Sequence, residues 1–162
     1  MAVDMILELD DIEGESKVES YEKKIDISSF SWGVSNSGSA HMGGGASGGG
    51  KGNVHDMSFT KTVDNASPTL FKLCYQGKHI GTGKLHVRKS AGEDKLEYQL
   101  FEMTEIYITN VSMGDAAGNE TPSESFTLTF AKIKYTYKQQ SETGGDQATP
   151  FFEVDIKSGK VT

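Results

Sequence analysis

The chain is short of everything that marks a disulfide scaffold, a membrane protein or a nucleic-acid binder. It holds one cysteine and three prolines in 162 residues. A lone Cys74 cannot close an internal disulfide, so folding in a reducing cytoplasm is the expectation. No segment approaches the ~20 consecutive apolar residues of a spanning helix, and membrane insertion is not expected. The opening Met1-Ala2-Val3-Asp4 has neither the basic leader nor the apolar run of a Sec signal, so an exported form is expected to leave without one. Positive charge is also scarce: sixteen basic residues face twenty-three acidic ones, for a net charge of -7. That balance opposes the counterion release that drives binding to phosphates, and nucleic acid is not an expected partner.

Motifs of catalysis and metal binding are missing as well. His41, His55, His79 and His86 stand at no zinc spacing with each other or with Cys74, and they read as surface or loop histidines. The acids around Gly14 (Asp10, Asp11, Glu13, Glu15) lack the order of a calcium loop and read as a solvated turn. Gly43-x-Gly45-x-x-Gly48 and Gly45 to Lys51 imitate nucleotide loops, but Gly52 stands where a P-loop needs Ser or Thr, and a strand follows where a helix is required. No enzyme activity, cofactor or metal is expected.

What the chain does have is a period of two. Val3, Met5, Leu7 and Leu9 alternate with Asp4, Glu8 and Asp10, which gives a strand with one apolar and one charged face. Ile25 and Ile27 hand over to Phe30, Trp32 and Val34 with the parity shifted at Ser28-Ser29, where a bulge is expected. Met57, Phe59 and Val63 repeat the pattern around Lys61, as do Leu85 and Val87 between His86 and Arg88. Leu96, Tyr98 and Leu100 change parity to Phe101 and Met103, and Ile106 and Ile108 to Val111 and Met113. Phe126, Leu128, Phe130, Ile133 and Tyr135, then Phe152, Val154 and Ile156, complete about eight segments separated by turn residues. Slips of parity bend strands toward closure, so the expected fold is all-β: an antiparallel two-sheet barrel or sandwich occupying 1–162 as one domain.

One stretch departs from the alternation. Ser67 as N-cap, Pro68 at the first helical position, apolar Leu70, Phe71, Leu73 and Cys74, and a stop at Gly77 predict a helix over 67–77, packed outside the barrel. The polar segment 139–149 reads as a mobile connection. Between Gly38 and Gly52, eight of fifteen residues are glycine. Such a segment has little side-chain surface to bury, yet it is too long for a hairpin turn, and long loops inside compact domains are usually functional.

The run Ile25-Asp26-Ile27-Ser28-Ser29-Phe30-Ser31-Trp32-Gly33, continuing through Ser37-Gly38 to His41-Met42-Gly43-Gly44-Gly45, resembles the haemolysin-coregulated (Hcp) family. Phe59-Thr60-Lys61, Asp64, Ser67-Pro68 and Glu124 to Phe130 extend the similarity over nearly the whole chain. The resemblance implies a structural subunit of the type VI secretion inner tube, related in fold to phage tail tubes. It implies a homohexamer whose rings stack beneath a spike and inside a sheath. It further implies assembly in the cytoplasm, secretion without a signal peptide, and effector proteins carried or chaperoned in the lumen.

Within that reading, His41, Met42, Gly43, Gly44, Gly45 and Lys51 are the candidate subunit and ring contacts, because glycine allows close backbone approach and these are the loop's few anchors. Ser29 and Ser31, opposite Phe30 and Trp32, are the candidate lumen-facing residues; Trp32 itself reads as a core anchor. A monomeric, lectin-like ligand-binding barrel is the alternative. It predicts aromatic clusters in loops, whereas the aromatics here fall mostly in strand alternation.

Overall fold

The computed structural model describes residues 3–38, 50–91, 94–139 and 149–162. In chain order the elements are β1 (Val3–Leu9), β2 (Ile25–Ile27), β3 (Ser29–Ser31), β4 (Val34–Asn36), β5 (Gly52–Val54), β6 (Met57–Thr62), α1 (Ser67–Gln76), β7 (Ile80–Ala91), β8 (Asp94–Gly114), β9 (Ser123–Tyr137), β10 (Phe151–Asp155) and β11 (Lys160–Val161). Among the described residues the fold is all-β with one short helix, and every strand pair is antiparallel.

Two long strands, β8 and β9, run through both layers of a sandwich. Their outer halves belong to a sheet ordered β11-β10-β9-β8-β7-β1-β2. Their remaining halves continue into an inner sheet, where β9 pairs β6 from Met57↔Leu128 to Thr62↔Ser123, and β6 pairs β3. The corner between layers is built at Ser28. There the chain leaves β1, its partner along β2, and joins β6 along β3, with the Ser28 amide donating to the Thr60 carbonyl at 2.8 Å. The expected bulge at Ser28-Ser29 is therefore a change of partner, and among the described residues it joins two sheets without a continuous closed ladder.

Two register shifts do the bending. One lies between Ile108 and Asn110, where the sequence shows its slip from Ile108 to Val111. The other leaves Tyr98 without a partner on β7, between Glu97↔Arg88 and Gln99↔Val87, close before the parity change at Phe101.

The core lies between the layers. Leu7, Leu85, Met57, Leu128, Ile106 and Ile133 are completely enclosed, with Phe59 and Phe126 stacked at 5.0 Å. Full burial of one such side chain stabilises the fold by roughly 1.5–3 kcal/mol. Phe101 stacks on Tyr135 at 4.6 Å and takes Phe30 and Trp32 edge-on. Trp32 is half-buried against this cluster and donates its indole N–H to the His55 carbonyl at 3.0 Å. Val34, the next residue of that alternation, is 48% exposed, because the chain has already left β3 for the β4–β5 ribbon.

Helix α1 begins one residue earlier in its cap than the sequence suggests: Ala66 is the N-cap and makes no side-chain cap bond, and Pro68 sits in the first turn. Ser67 is the first helical residue, and its hydroxyl is used inside the protein. Gly77 ends the helix at φ +60, a left-handed conformation in which glycine is unstrained. Leu70 is buried, while Leu73 and the half-buried Cys74 pack against the core's edge.

Candidate functional site

The face of the inner sheet opposite Phe59 and Phe126 is lined by short hydroxyl side chains. Registration carries one row from Ser29 through Thr60 and Ser125 to Ser112, and a second from Ser31 through Ser58 and Thr127 to Asn110. Directly opposed residues of an antiparallel pair project from the same face, so these form one continuous surface. Ser29, Ser31, Ser112 and Ser125 are exposed. Neighbouring hydroxyls satisfy each other: Ser112 Oγ lies 2.9 Å from Ser125 Oγ, and Thr109 Oγ1 lies 2.6 Å from Thr127 Oγ1. Asp56, which accepts from Thr109 at 3.0 Å, is the charged group at its margin. Ser29 and Ser31 thus belong to a surface contributed by four strands.

Among the described residues neither edge of this inner sheet has a further strand partner, although α1 packs beside β8. β3 pairs β6 on one side alone, and β8 beyond Ile106 pairs β9 but no longer β7. The unpaired half of β8 also exposes apolar side chains: Tyr107 is 42% and Met113 55% accessible. An exposed edge with a row of free backbone donors and acceptors is a template for another strand.

Of the loop residues singled out in the sequence, His41, Met42, Gly43, Gly44 and Gly45 lie outside the described residues. Lys51 is exposed at the base of the glycine segment, next to β5. It borders an open groove of about 540 Å³ lined mainly by Val34, Val54, Phe152, Val154 and Val161, between the β4–β5 ribbon and the β10–β11 hairpin.

Behind the hydroxyl face is a buried ion pair that sequence reading missed. The Lys61 ammonium and Glu124 carboxylate, side chains both 0% exposed, meet at 3.0 Å. Lys61 also donates to Asp64 Oδ1 at 2.8 Å, Ser67 Oγ at 3.1 Å and the Thr62 carbonyl at 3.2 Å. Ser67 Oγ donates to Glu124 Oε2 and accepts from the Asp64 amide at 3.0 Å. The network fastens the first turn of α1 to β6 and β9, behind the surface those strands present.

A second polar cluster corrects the reading of His86 as a surface or loop residue. It lies within β7, only 8% exposed, with Nδ1 2.6 Å from Glu97 and Nε2 3.4 Å from Glu8. Among the described residues no group of three or more His, Cys, Asp or Glu is arranged to hold a metal ion, and no helix is long and apolar enough to cross a membrane.

The described residues form an all-β sandwich with a neutral hydroxyl face, carried by a sheet that has no second strand partner at β3 or at 107–114 of β8. Residues 6–137 match the family model described as type VI secretion system effector, Hcp, and the chain belongs to that family. It is 42% identical to protein hcp1 of Pseudomonas aeruginosa over 150 residues, 93% of this chain and 92% of that one. Hcp1 from Salmonella typhimurium superposes with a TM-score of 0.81 at 31% identity, over all of both chains. A type VI secretion system effector from Yersinia pestis does so with a TM-score of 0.76 at 28% identity, covering 94% of this chain and 100% of that one. The chain is a type VI secretion protein.

Proposed function

We propose that the chain is the ring-forming subunit of the type VI inner tube: a homohexamer whose rings stack, with the Ser29 and Ser31 face turned to the lumen, where effector proteins ride. The observation that carries this reading is the inner sheet, hydroxyl-lined on one face and unpaired at β3 and at 107–114 of β8. Two different edges on one subunit suit a head-to-tail contact, which closes into a ring when the rotation per subunit divides a full turn. A ring of such sheets presents a neutral, hydrogen-bonding lining and pairs both open edges of the inner sheet at once. The outer sheet and α1 then face outward, toward a sheath. Secretion follows with the tube and its spike.

Native mass spectrometry at micromolar concentration is expected to give six copies, and a protein that stays monomeric there would exclude the ring. The glycine segment is assigned to contact between rings. Its base, the β4–β5 ribbon, stands beside an apolar groove, and Lys51 stands at the groove's mouth. Removing Gly44 to Gly50 is expected to leave hexamers intact while reducing stacking and secretion. Full-length tubes from the shortened chain would make the segment a passive linker.

A further inference from the structure

Segment 13–24, between β1 and β2, folds back over the outer face of β1 and β7. It is held internally by Gly14 N–H to the Lys23 carbonyl at 2.7 Å, Ser16 N–H to the Lys24 carbonyl at 3.0 Å and Lys23 N–H to the Ser16 carbonyl at 2.9 Å. Gly14 permits this fold-back: a Cβ there would lie 2.5 Å from the Lys24 carbonyl oxygen. Outward, Tyr21 lays its ring 4.8 Å from His86 and 4.8 Å beneath the Arg88 guanidinium. Ile6, completely buried, lies directly opposite His86 on the same face. The backbone bears a cost, since Ser20 and Lys23 sit at φ 71 and 64, and Asp11, just before the segment, at φ 60. Non-glycine residues hold that conformation only where surrounding contacts impose it.

One ion pair and one aromatic contact tie the segment to the sheet, Lys24 to Glu8 and Tyr21 to His86 and Arg88, and the carboxylates around His86 hold that ring in place. Glu97 and Glu8 grip the two nitrogens of His86; Lys24 at the segment's end pairs Glu8 at 3.2 Å, and Lys138 lies 3.8 Å from Glu97. The same face also carries Asp4, Asp26, Lys84, Arg88 and Glu102. We propose that segment 13–24 is an acid-releasable strap, closed over Ile6 and His86 while the carboxylates flanking His86 are ionised and released when they are protonated.

The direction follows from linkage. The hydrogen bond from His86, working against partial burial, holds Glu97 below the usual glutamate range. Partial burial pushes Glu8 the other way, but Lys24 and His86 together outweigh it and hold Glu8 low too. A carboxylate lowered in the closed state contributes stability above its ordinary pKa and loses it as pH falls through the lowered value. Acid therefore opens the strap by removing the ionised carboxylates that hold the His86 ring against it.

Hydrogen exchange on the full chain, expressed as protection relative to the intrinsic rate at each pH, tests this. A hairpin detached from its sheet is barely stable in water, so release should expose the amides of Gly14, Ser16 and Lys23. At neutral pH, Glu97→Gln is expected to lower their protection by roughly tenfold to a hundredfold, the worth of a charged hydrogen bond. Amides of β8 and β9 should keep theirs. Wild type should show the same selective loss only below about pH 4. Glu8→Gln should act in the same direction but more weakly, its contact being longer and more exposed. Unchanged strap protection in Glu97→Gln, or wild-type acid loss that begins together with the core, would overturn the proposal. Should Glu97→Gln fail to fold, the wild-type acid series decides alone.

Discussion

Lys61→Met is expected to cost about 3–5 kcal/mol of folding stability, read as a lowered urea midpoint with an unchanged slope. The loss is not that of one surface ion pair, since both side chains are fully enclosed. Removing the ammonium leaves the Glu124 carboxylate without its cation and Asp64 without its closest partner, while methionine fills most of the vacated volume. Glu124 Oε1 has no hydrogen-bond partner among the described residues, so the compensation for burying this carboxylate comes through Oε2 alone. The reverse single change, Glu124→Gln, should cost less, about 1–3 kcal/mol, because Lys61 keeps Asp64, Ser67 and the Thr62 carbonyl. The double variant Lys61→Met with Glu124→Leu should recover most of the loss, as replacement of buried ion pairs by apolar residues often does. A double variant as unstable as Lys61→Met would mean that the ammonium acts chiefly by holding Asp64 and the helix's first turn.

This pair shows what the chain's alternation does and does not disclose. Lys61 falls on the same parity as Met57 and Phe59, and Glu124 on the same parity as Phe126 and Leu128. Each charge sits where its strand demands an apolar residue, and that is a visible signal. One strand alone reads as a slip or a strand end, because a lysine at a core position is costly without a partner. Only the register Lys61↔Glu124 turns two local anomalies into one interaction, and register between strands more than sixty positions apart is not written in either strand.

The same reasoning separates the legible from the illegible elsewhere. Strand existence, the bend after Ile108 and the helix after Asp64 are all carried by local spacing. His86 lies on the polar parity of β7 and therefore looks exposed, but segment 13–24 covers it; a covering loop leaves no periodic trace. Ser29 and Ser31 are recognisable as the polar side of their strand, whereas the surface they share with Ser58, Thr60, Ser125 and Thr127 appears only when four strands align. Open edges are a property of pairing too. The free half of β8 is visible because β7 stops at Ile80, opposite Ile106.

That free half carries the other large effect. Met113 is 55% exposed in the subunit, so Met113→Glu removes little from the fold: substitutions at such positions usually change stability by less than about 0.5 kcal/mol. If 107–114 of β8 meets β3 of the next subunit, the introduced carboxylate must be desolvated at every junction of the ring without a cation to receive it. An unpaired charge at a closing interface costs on the order of 2–5 kcal/mol, and six equal contacts repeat the cost around the ring. Hexamer is then expected to give way to monomer at micromolar concentration, with the thermal midpoint of the monomer close to that of wild-type subunits. The introduced charge would also stand opposite Glu124 across the register Met113↔Glu124, so Met113→Gln is the matched control for size and polarity without charge. It should keep most of the hexamer. Sedimentation velocity on the three proteins reads the outcome: undiminished hexamer in Met113→Glu would place the subunit junction elsewhere, while a folded monomer would fix it on this edge of β8.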